Sequence, residues 1–87
     1  MITIDFDVIV FKEDNTYVAY CPELDISSCG NNVEHSKEML KTAVRLFLEE
    51  AEKMGTVENI LEEARYINNS SGRWIPPRLI ATEQVSL

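Results

Sequence analysis

Hydrophobic and polar residues alternate along the first third of the chain, which is the pattern of half-buried strands. From Ile2 to Lys12 the apolar side chains recur at every second position. A polar turn follows, and a second strand is predicted from Tyr17 to Cys21. Pro22 lacks a backbone N–H and ends that strand, after which a third is predicted from Asp25 to Cys29. The pattern predicts a three-stranded antiparallel meander.

After Gly30 the spacing of apolar residues changes to three and four, which predicts a long amphipathic helix. Asn31 or Asn32 can cap its start and Gly55 can end it. A second, shorter helix is predicted from Thr56 to about Tyr66. The apolar stripe of the long helix comprises Val33, Ser36, Leu40, Ala43, Val44, Phe47, Leu48 and Ala51.

Beyond Trp74, Pro76 and Pro77 the apolar alternation returns, with Leu79, Ala81 and Val85 on one side. This predicts a fourth strand, which could join the sheet beside the first strand through a right-handed crossover. We therefore expect residues 1–87 to form one α+β domain. The expected architecture is a two-layer sandwich with the order β-β-β-α-(α)-β.

The outer face of the first predicted strand carries two apolar residues, Ile9 and Phe11. A strand face turned to water does not require them, so another surface is expected to cover this end of the sheet. Self-association is one candidate, and a homodimer or tetramer is expected.

The balance of charges restricts the classes of partner. The chain has 15 acidic and 8 basic side chains and a formal net charge of -7. Nucleic acids and anionic membranes select clustered Lys and Arg, so neither is expected as a direct partner. A basic protein is the favoured partner. The sequence shows no membrane-spanning stretch and no charged leader, and we expect a cytoplasmic protein.

Cysteine and histidine are scarce, which limits metal and thiol chemistry. Cys21, Cys29 and His35 are the only residues of their types, and they cannot supply a tetrahedral zinc site. We expect two buried free thiols and no disulfide, metal or cofactor. His35, near a helix start, is expected to be a surface or capping residue.

The run Tyr17-Val18-Ala19-Tyr20-Cys21-Pro22-Glu23-Leu24, followed by Cys29-Gly30 and a capped helix with Leu40 and Ala43, resembles the core signature of HicB-like antitoxins. The later run from Gly55 to Glu63, then Trp74 and Pro76-Pro77, is similar to short members of that family. The resemblance implies a partial RNase H-like fold with a meander, a packed helix and a fourth strand beside the first.

The resemblance also implies a function. HicB-like antitoxins bind a small basic HicA-like ribonuclease toxin, which has the shape of a double-stranded-RNA-binding domain, and block its cleavage of mRNA. Longer members add a DNA-binding domain, which this sequence does not show, so direct DNA binding is not expected. The sequence departs from the family pattern at Asp25-Ile26, at His35-Ser36 and at Arg65.

The predicted toxin-facing surface lies on the polar face of the long helix. Glu34, Glu38, Glu49 and Glu52 share that face, and acidic groups there could steer a basic partner. Solvated surface charge is the alternative for each of them. Glu23 could also reach the partner, although Pro22-Glu23-Leu24 is more simply explained as a strand end with Leu24 in the core.

Two other functions compete with antitoxin activity. An RNase H-like nuclease would need carboxylates converging on two divalent ions, with Asp5 or Asp7, Glu38 and Glu83 as candidates. The two aspartates are predicted on the outer face of their strand, so we expect no enzyme activity. The second alternative is a solitary homo-oligomer without a toxin partner.

Overall fold

A computed structural model describes residues 2–69 and 71–87, which form an α+β fold of two helices and two small sheets. One sheet has the strand order β2-β3-β4 and the other β1-β6-β5. The elements in chain order are β1 (Thr3–Ile4), β2 (Ile9–Glu13), β3 (Thr16–Cys21), β4 (Ile26–Gly30), α1 (Val33–Met54), α2 (Val57–Glu63), β5 (Ile67–Asn68) and β6 (Arg73–Ile75).

The predicted antiparallel meander is confirmed as β2-β3-β4. Val10 pairs with Ala19 on the face that packs against the core, which places Ile9 and Phe11 on the opposite, outer face. Asp14 adopts a positive φ of 55° in the tight turn between β2 and β3. An aspartate tolerates this conformation better than most residues, so the polar turn predicted there is suited to its geometry.

The prediction of one continuous first strand was wrong, because residues 2–12 contribute to both sheets. β1 ends at Ile4 and β2 begins at Ile9. Between them the N–H of Asp5 donates to the carbonyl of Trp74, and the N–H of Asp7 donates to the Glu23 carboxylate. Apolar alternation continues through the break, so the sequence pattern does not reveal that the chain passes from one sheet to the other.

Helix α1 forms with the predicted caps. The Asn32 side chain accepts a hydrogen bond from the N–H of His35 at 2.8 Å, and Gly55 ends the helix with φ of 72°. The buried stripe is narrower than predicted, because Val33 and Phe47 are exposed. The buried residues are Ser36, Leu40, Val44, Leu48 and Ala51.

The core lies between α1 and the β2-β3-β4 sheet, in two layers. Ala19 and Cys21 from the sheet and Leu40 from α1 have no exposed surface. Gly30 permits the close approach of β4 to the start of α1, since a Cβ atom there would lie 2.5 Å from the backbone nitrogen of Ser36. The short connection from sheet to helix therefore requires a residue without a side chain.

The region after α1 differs most from its prediction. Helix α2 ends at Glu63, and Tyr66 turns into the core, where its hydroxyl donates to the carbonyl of Asp5 at 2.8 Å. A strand does lie beside β1, but it is the parallel strand β6, with Trp74 opposite Ile4. Trp74, in the central strand of this sheet, is buried in the core.

The fourth strand predicted over Leu79, Ala81 and Val85 is absent from the described residues. Residues 76–87, called here the 76–87 segment, have no helix or ladder. β5 and β6 instead form an antiparallel pair in a part of the chain where the apolar pattern predicts no strand. Alternation shows that a segment could form a strand, whereas a strand also needs a neighbouring edge to pair with.

Candidate protein-binding surface

The four glutamates predicted on the polar face of α1 are all exposed, and they divide into two pairs with different surroundings. Glu34 lies 3.4 Å from the ammonium of Lys37, and Glu38 lies 3.5 Å from that of Lys41. These i,i+3 contacts balance the charge over the first half of the helix. Any acidic field must therefore come from the second half.

The acidic charge is concentrated from the end of α1 through α2. Between residues 49 and 63, called here the acidic segment, the only basic side chain is Lys53. Six carboxylates in the same stretch are exposed: Glu49, Glu50, Glu52, Glu58, Glu62 and Glu63. Such a density of one charge raises the rate at which an oppositely charged protein associates.

An apolar groove lies beside the acidic segment, between β1 and α1. Its volume is about 240 Å³, and Ile4, Phe6 and Leu48 are among the side chains that line it. Glu49 and Glu52 also line it, and the Glu52 carboxylate accepts a hydrogen bond from the N–H of Ile2 at 3.3 Å. Lys41 and Arg45 line the groove as well, so apolar side chains lie here inside a rim that carries both charges, and Glu49 and Glu52 join that rim to the acidic segment.

No local signal in the sequence pointed to this groove. Ile2, Ile4 and Phe6 were recognised as apolar strand residues, and Glu49 and Glu52 as helix surface. The groove exists because β1 leaves the meander and runs beside α1, a placement fixed by its pairing with β6. Residues about 45 positions apart were thus brought together by tertiary structure.

Glu23 lies in a different cavity and contacts its own chain. Its carboxylate accepts hydrogen bonds from the N–H of Asp7 at 3.1 and 3.2 Å and from the thiol of Cys21 at 3.5 Å. Partial burial, together with the Asp7 side chain, raises the pKa of Glu23. The cavity of about 310 Å³ beside it is also lined by Ala64 and Arg78. These contacts favour the structural explanation of Pro22-Glu23-Leu24.

The two cysteines have opposite environments, which corrects the expectation that both are buried. Cys21 is buried, and burial raises the pKa of its thiol to about 11. Cys29 is exposed. Both are free, and the strand register places Cys21 opposite Ile26 and Cys29 opposite Val18, so the two thiols do not face each other.

His35 has the capping role expected of it. Its Nδ1 accepts a hydrogen bond from the N–H of Asn31 at 3.0 Å, and its own N–H donates to Asn32. The imidazole thus helps to fix the turn between β4 and α1. This contact also explains why a Cβ at Gly30 would meet the His35 side chain at 2.9 Å.

The carboxylates considered for a nuclease have separate surroundings. Asp5 pairs with Arg73 at 3.1 Å, Glu38 contacts Lys41, and Glu83 lines a cavity with Ile9 and Phe11. Within residues 2–69 and 71–87, no group of three His, Cys, Asp or Glu side chains is arranged to hold a metal ion.

The residues predicted for self-association lie where the 76–87 segment crosses the outer face of the sheet. Ile9 and Phe11 line an open cavity of about 370 Å³ together with Thr82, Glu83 and Gln84. Phe11 nevertheless keeps 52% of its surface exposed. The chain covers this apolar face only in part.

Comparisons of the chain with protein families, with curated proteins and with solved structures find no match. The likeness to HicB-like antitoxins therefore depends on the residue pattern given above. In the part of the chain that the structure describes, no helix combines the length and the apolar character needed to cross a membrane.

Proposed function

We propose that this protein is a HicB-like antitoxin that binds and neutralises a small basic HicA-like ribonuclease toxin. The observation that carries the proposal is the acidic segment, with six exposed carboxylates and one lysine, beside the apolar groove. A partial RNase H-like fold, a cytoplasmic location and the lack of enzyme activity belong to the same proposal.

The groove and the acidic segment would have separate tasks in binding. Exposed carboxylates such as Glu58 and Glu62 would steer a basic toxin towards the surface, an effect that salt weakens. The groove between β1 and α1 would receive an apolar side chain of the toxin and supply most of the affinity. Glu49 and Glu52, which line the groove, would fix the orientation of the bound partner.

Co-purification with the product of an adjacent small basic reading frame tests the proposal. RNA cleavage by that product is then measured with and without this protein. A stable complex with suppressed cleavage is expected. Absence of a complex, together with unchanged cleavage, would contradict antitoxin activity.

Charge reversal can then locate the surface. Glu49→Lys/Glu52→Lys should weaken toxin affinity by about 10-fold or more and flatten its salt dependence, because both residues line the groove. Glu34→Lys/Glu38→Lys should have a smaller effect, since each glutamate is already paired with a lysine. Glu13→Lys, at the end of β2, is the control. Unchanged affinity after reversal at all four helix positions would place the interface elsewhere.

A second candidate function is that of a solitary homo-oligomer without a toxin. It is favoured by the apolar outer face at Ile9 and Phe11, which the 76–87 segment covers only in part. Light scattering should then give a dimer or tetramer. A monomer mass across micromolar concentrations would contradict self-association.

A further inference from the structure

The 76–87 segment has the apolar content of a strand without its hydrogen bonds. Leu79, Ile80 and Val85 are 47%, 81% and 67% exposed. Among residues 2–69 and 71–87, no hydrogen bond involves any residue of the segment. Extended apolar chain with free backbone groups is suited to adding a strand to a sheet.

An edge suited to receive such a strand lies nearby. β2 pairs with β3 on one side, and no other strand of the described residues pairs with it. The outer face of β2 is apolar at Ile9 and Phe11, and the segment already passes there at Thr82 to Gln84. A strand added along β2 would close the unpaired edge and extend the three-stranded sheet to four strands.

Within one chain the segment neither pairs with the free edge of β2 nor fully covers the apolar outer face. It lies over the side chains of Ile9 and Phe11, leaves an open cavity of about 370 Å³ and does not pair with the edge. Phe11 and Ile80 both remain mostly in water. The contact within the chain is therefore loose, and the two surfaces remain available to another molecule.

A second copy of the chain carries both the segment and the edge that it would join, and the distribution of charge permits this contact. The protein carries a net charge of -7, which opposes self-association over most of its surface. Residues 78–87 contain one basic residue, Arg78, and one acidic residue, Glu83. β2 contains Lys12 and Glu13 and is also neutral overall. Two copies can thus meet through these elements without like-charge repulsion.

We propose that two copies of this chain exchange their 76–87 segments, so that residues 79–85 of each form a strand along the free edge of β2 in the other. The exchange is symmetric, because each copy supplies one strand and one edge. Pro76 and Pro77 direct the segment away from β6 in an extended path. This inference builds on the self-association proposed above and is independent of toxin binding.

Proline substitution tests the strand in the full-length chain. Ala81→Pro and Thr82→Pro, made separately, each remove a backbone donor that makes no hydrogen bond within the described chain, so the fold of each copy should be unaffected. Neighbouring N–H groups of a strand point to opposite sides, so one of these two donors faces β2 in the exchanged dimer. The variant that lacks that donor should raise the dissociation constant by about 100-fold or more, because both added strands lose ladder bonds. Thr82→Ala, which keeps the donor, is the matched control.

Light scattering over a concentration series reads out this experiment. Wild type and Thr82→Ala should be dimers at concentrations where one of the two proline variants is a monomer with unchanged circular dichroism. A wild-type monomer would overturn both self-association and exchange. An oligomer that both proline variants leave intact would overturn the exchange alone.

Disulfide cross-linking shows whether the 76–87 segment lies against β2 of a second copy or against β2 of its own chain. In a Cys29→Ser background, chains with Phe11→Cys and chains with Glu83→Cys are coexpressed and oxidised. Exchange predicts a covalent dimer of the two chains on a non-reducing gel. The double variant, with both substitutions in one chain, should then also give covalent dimers. A cross-linked monomer from the double variant, or no cross-link in either arrangement, would overturn the proposal.

Discussion

The region from β2 to α1 and the 76–87 segment both carry an apolar pattern typical of regular structure, yet only the first forms it. In the first region each strand has a neighbour, and α1 covers one face of the sheet. The 76–87 segment has similar apolar residues but no ladder among the described residues. Pattern alone therefore does not make a strand.

The contrast shows where the stability of this chain comes from. Leu40 in α1 is fully buried between helix and sheet, whereas Ile80 is 81% exposed. An apolar side chain contributes to stability in proportion to the surface it removes from water. The four predictions that follow test this difference, from the largest expected effect to the smallest.

The largest difference should appear between two leucine truncations. Leu40→Ala should lower the free energy of unfolding by about 2–5 kcal/mol, because it leaves a cavity in the core. Leu79→Ala should lower it by about 0.5 kcal/mol or less in dilute solution, since the 76–87 segment is not packed there. Chemical denaturation measures both, and similar values would show that the segment belongs to the core.

Two glycines allow a comparison of close packing with backbone conformation. Gly30→Ala should cost about 1–3 kcal/mol, because the new Cβ meets the backbone of α1. Gly72→Ala meets nothing within 4 Å and should cost about 1 kcal/mol, through its φ of 86°. Thermal unfolding of the two variants measures the difference. A smaller loss of stability for Gly30→Ala than for Gly72→Ala would mean that β4 and the start of α1 can move apart at little cost in free energy.

Tyr66 joins the chain after α2 to the link between β1 and β2, so its hydroxyl measures how firmly these two parts of the chain are held together. Tyr66→Phe removes the hydrogen bond to the Asp5 carbonyl and should cost about 1 kcal/mol. Tyr20→Phe is the control, because the Tyr20 hydroxyl bonds to Asp25 at the exposed surface and its loss should matter less. Equal effects in denaturant titrations would show that burial adds nothing to the Tyr66 contact.

The smallest effect should be a pH dependence at Glu23. Its raised pKa means that the folded protein holds this proton more tightly than the unfolded chain. The resulting stabilisation is complete below the unfolded pKa, about 4.3, and is lost as the pH rises through the folded pKa. Glu23→Gln cannot titrate there and retains an oxygen that can accept from the Asp7 N–H.

Unfolding of wild type and Glu23→Gln should therefore be compared at several pH values above about 4.3. Wild type should lose stability relative to Glu23→Gln as the pH rises. A difference that stays constant would show that Glu23 titrates alike in the folded and unfolded states.

Parts of the candidate surface could be predicted from sequence, and others could not. The polar face of α1 and the acidic charge between residues 49 and 63 follow from helical spacing and composition, and both are present. The pairing of Glu34 with Lys37 required the side-chain geometry. The groove between β1 and α1 required the position of β1, which no local pattern encodes.

The sequence by itself determined the elements that depend on neighbours along the chain. Asn32 and Gly55 fixed the ends of α1, and alternation with a polar turn fixed β2 and β3. These devices act over a few residues, so a local pattern suffices to predict them.

Tertiary structure alone decided how the strands were partnered. The chain divides between β1 and β2, and β6 rather than residues 79–85 lies beside β1. Several distant segments can pair with the same strand edge, and the pairing that buries more apolar surface is favoured. Trp74, which is buried opposite Ile4, is an example. Alternation shows which segments can form strands, but which of them pairs with β1 depends on contacts between residues about 70 positions apart along the chain.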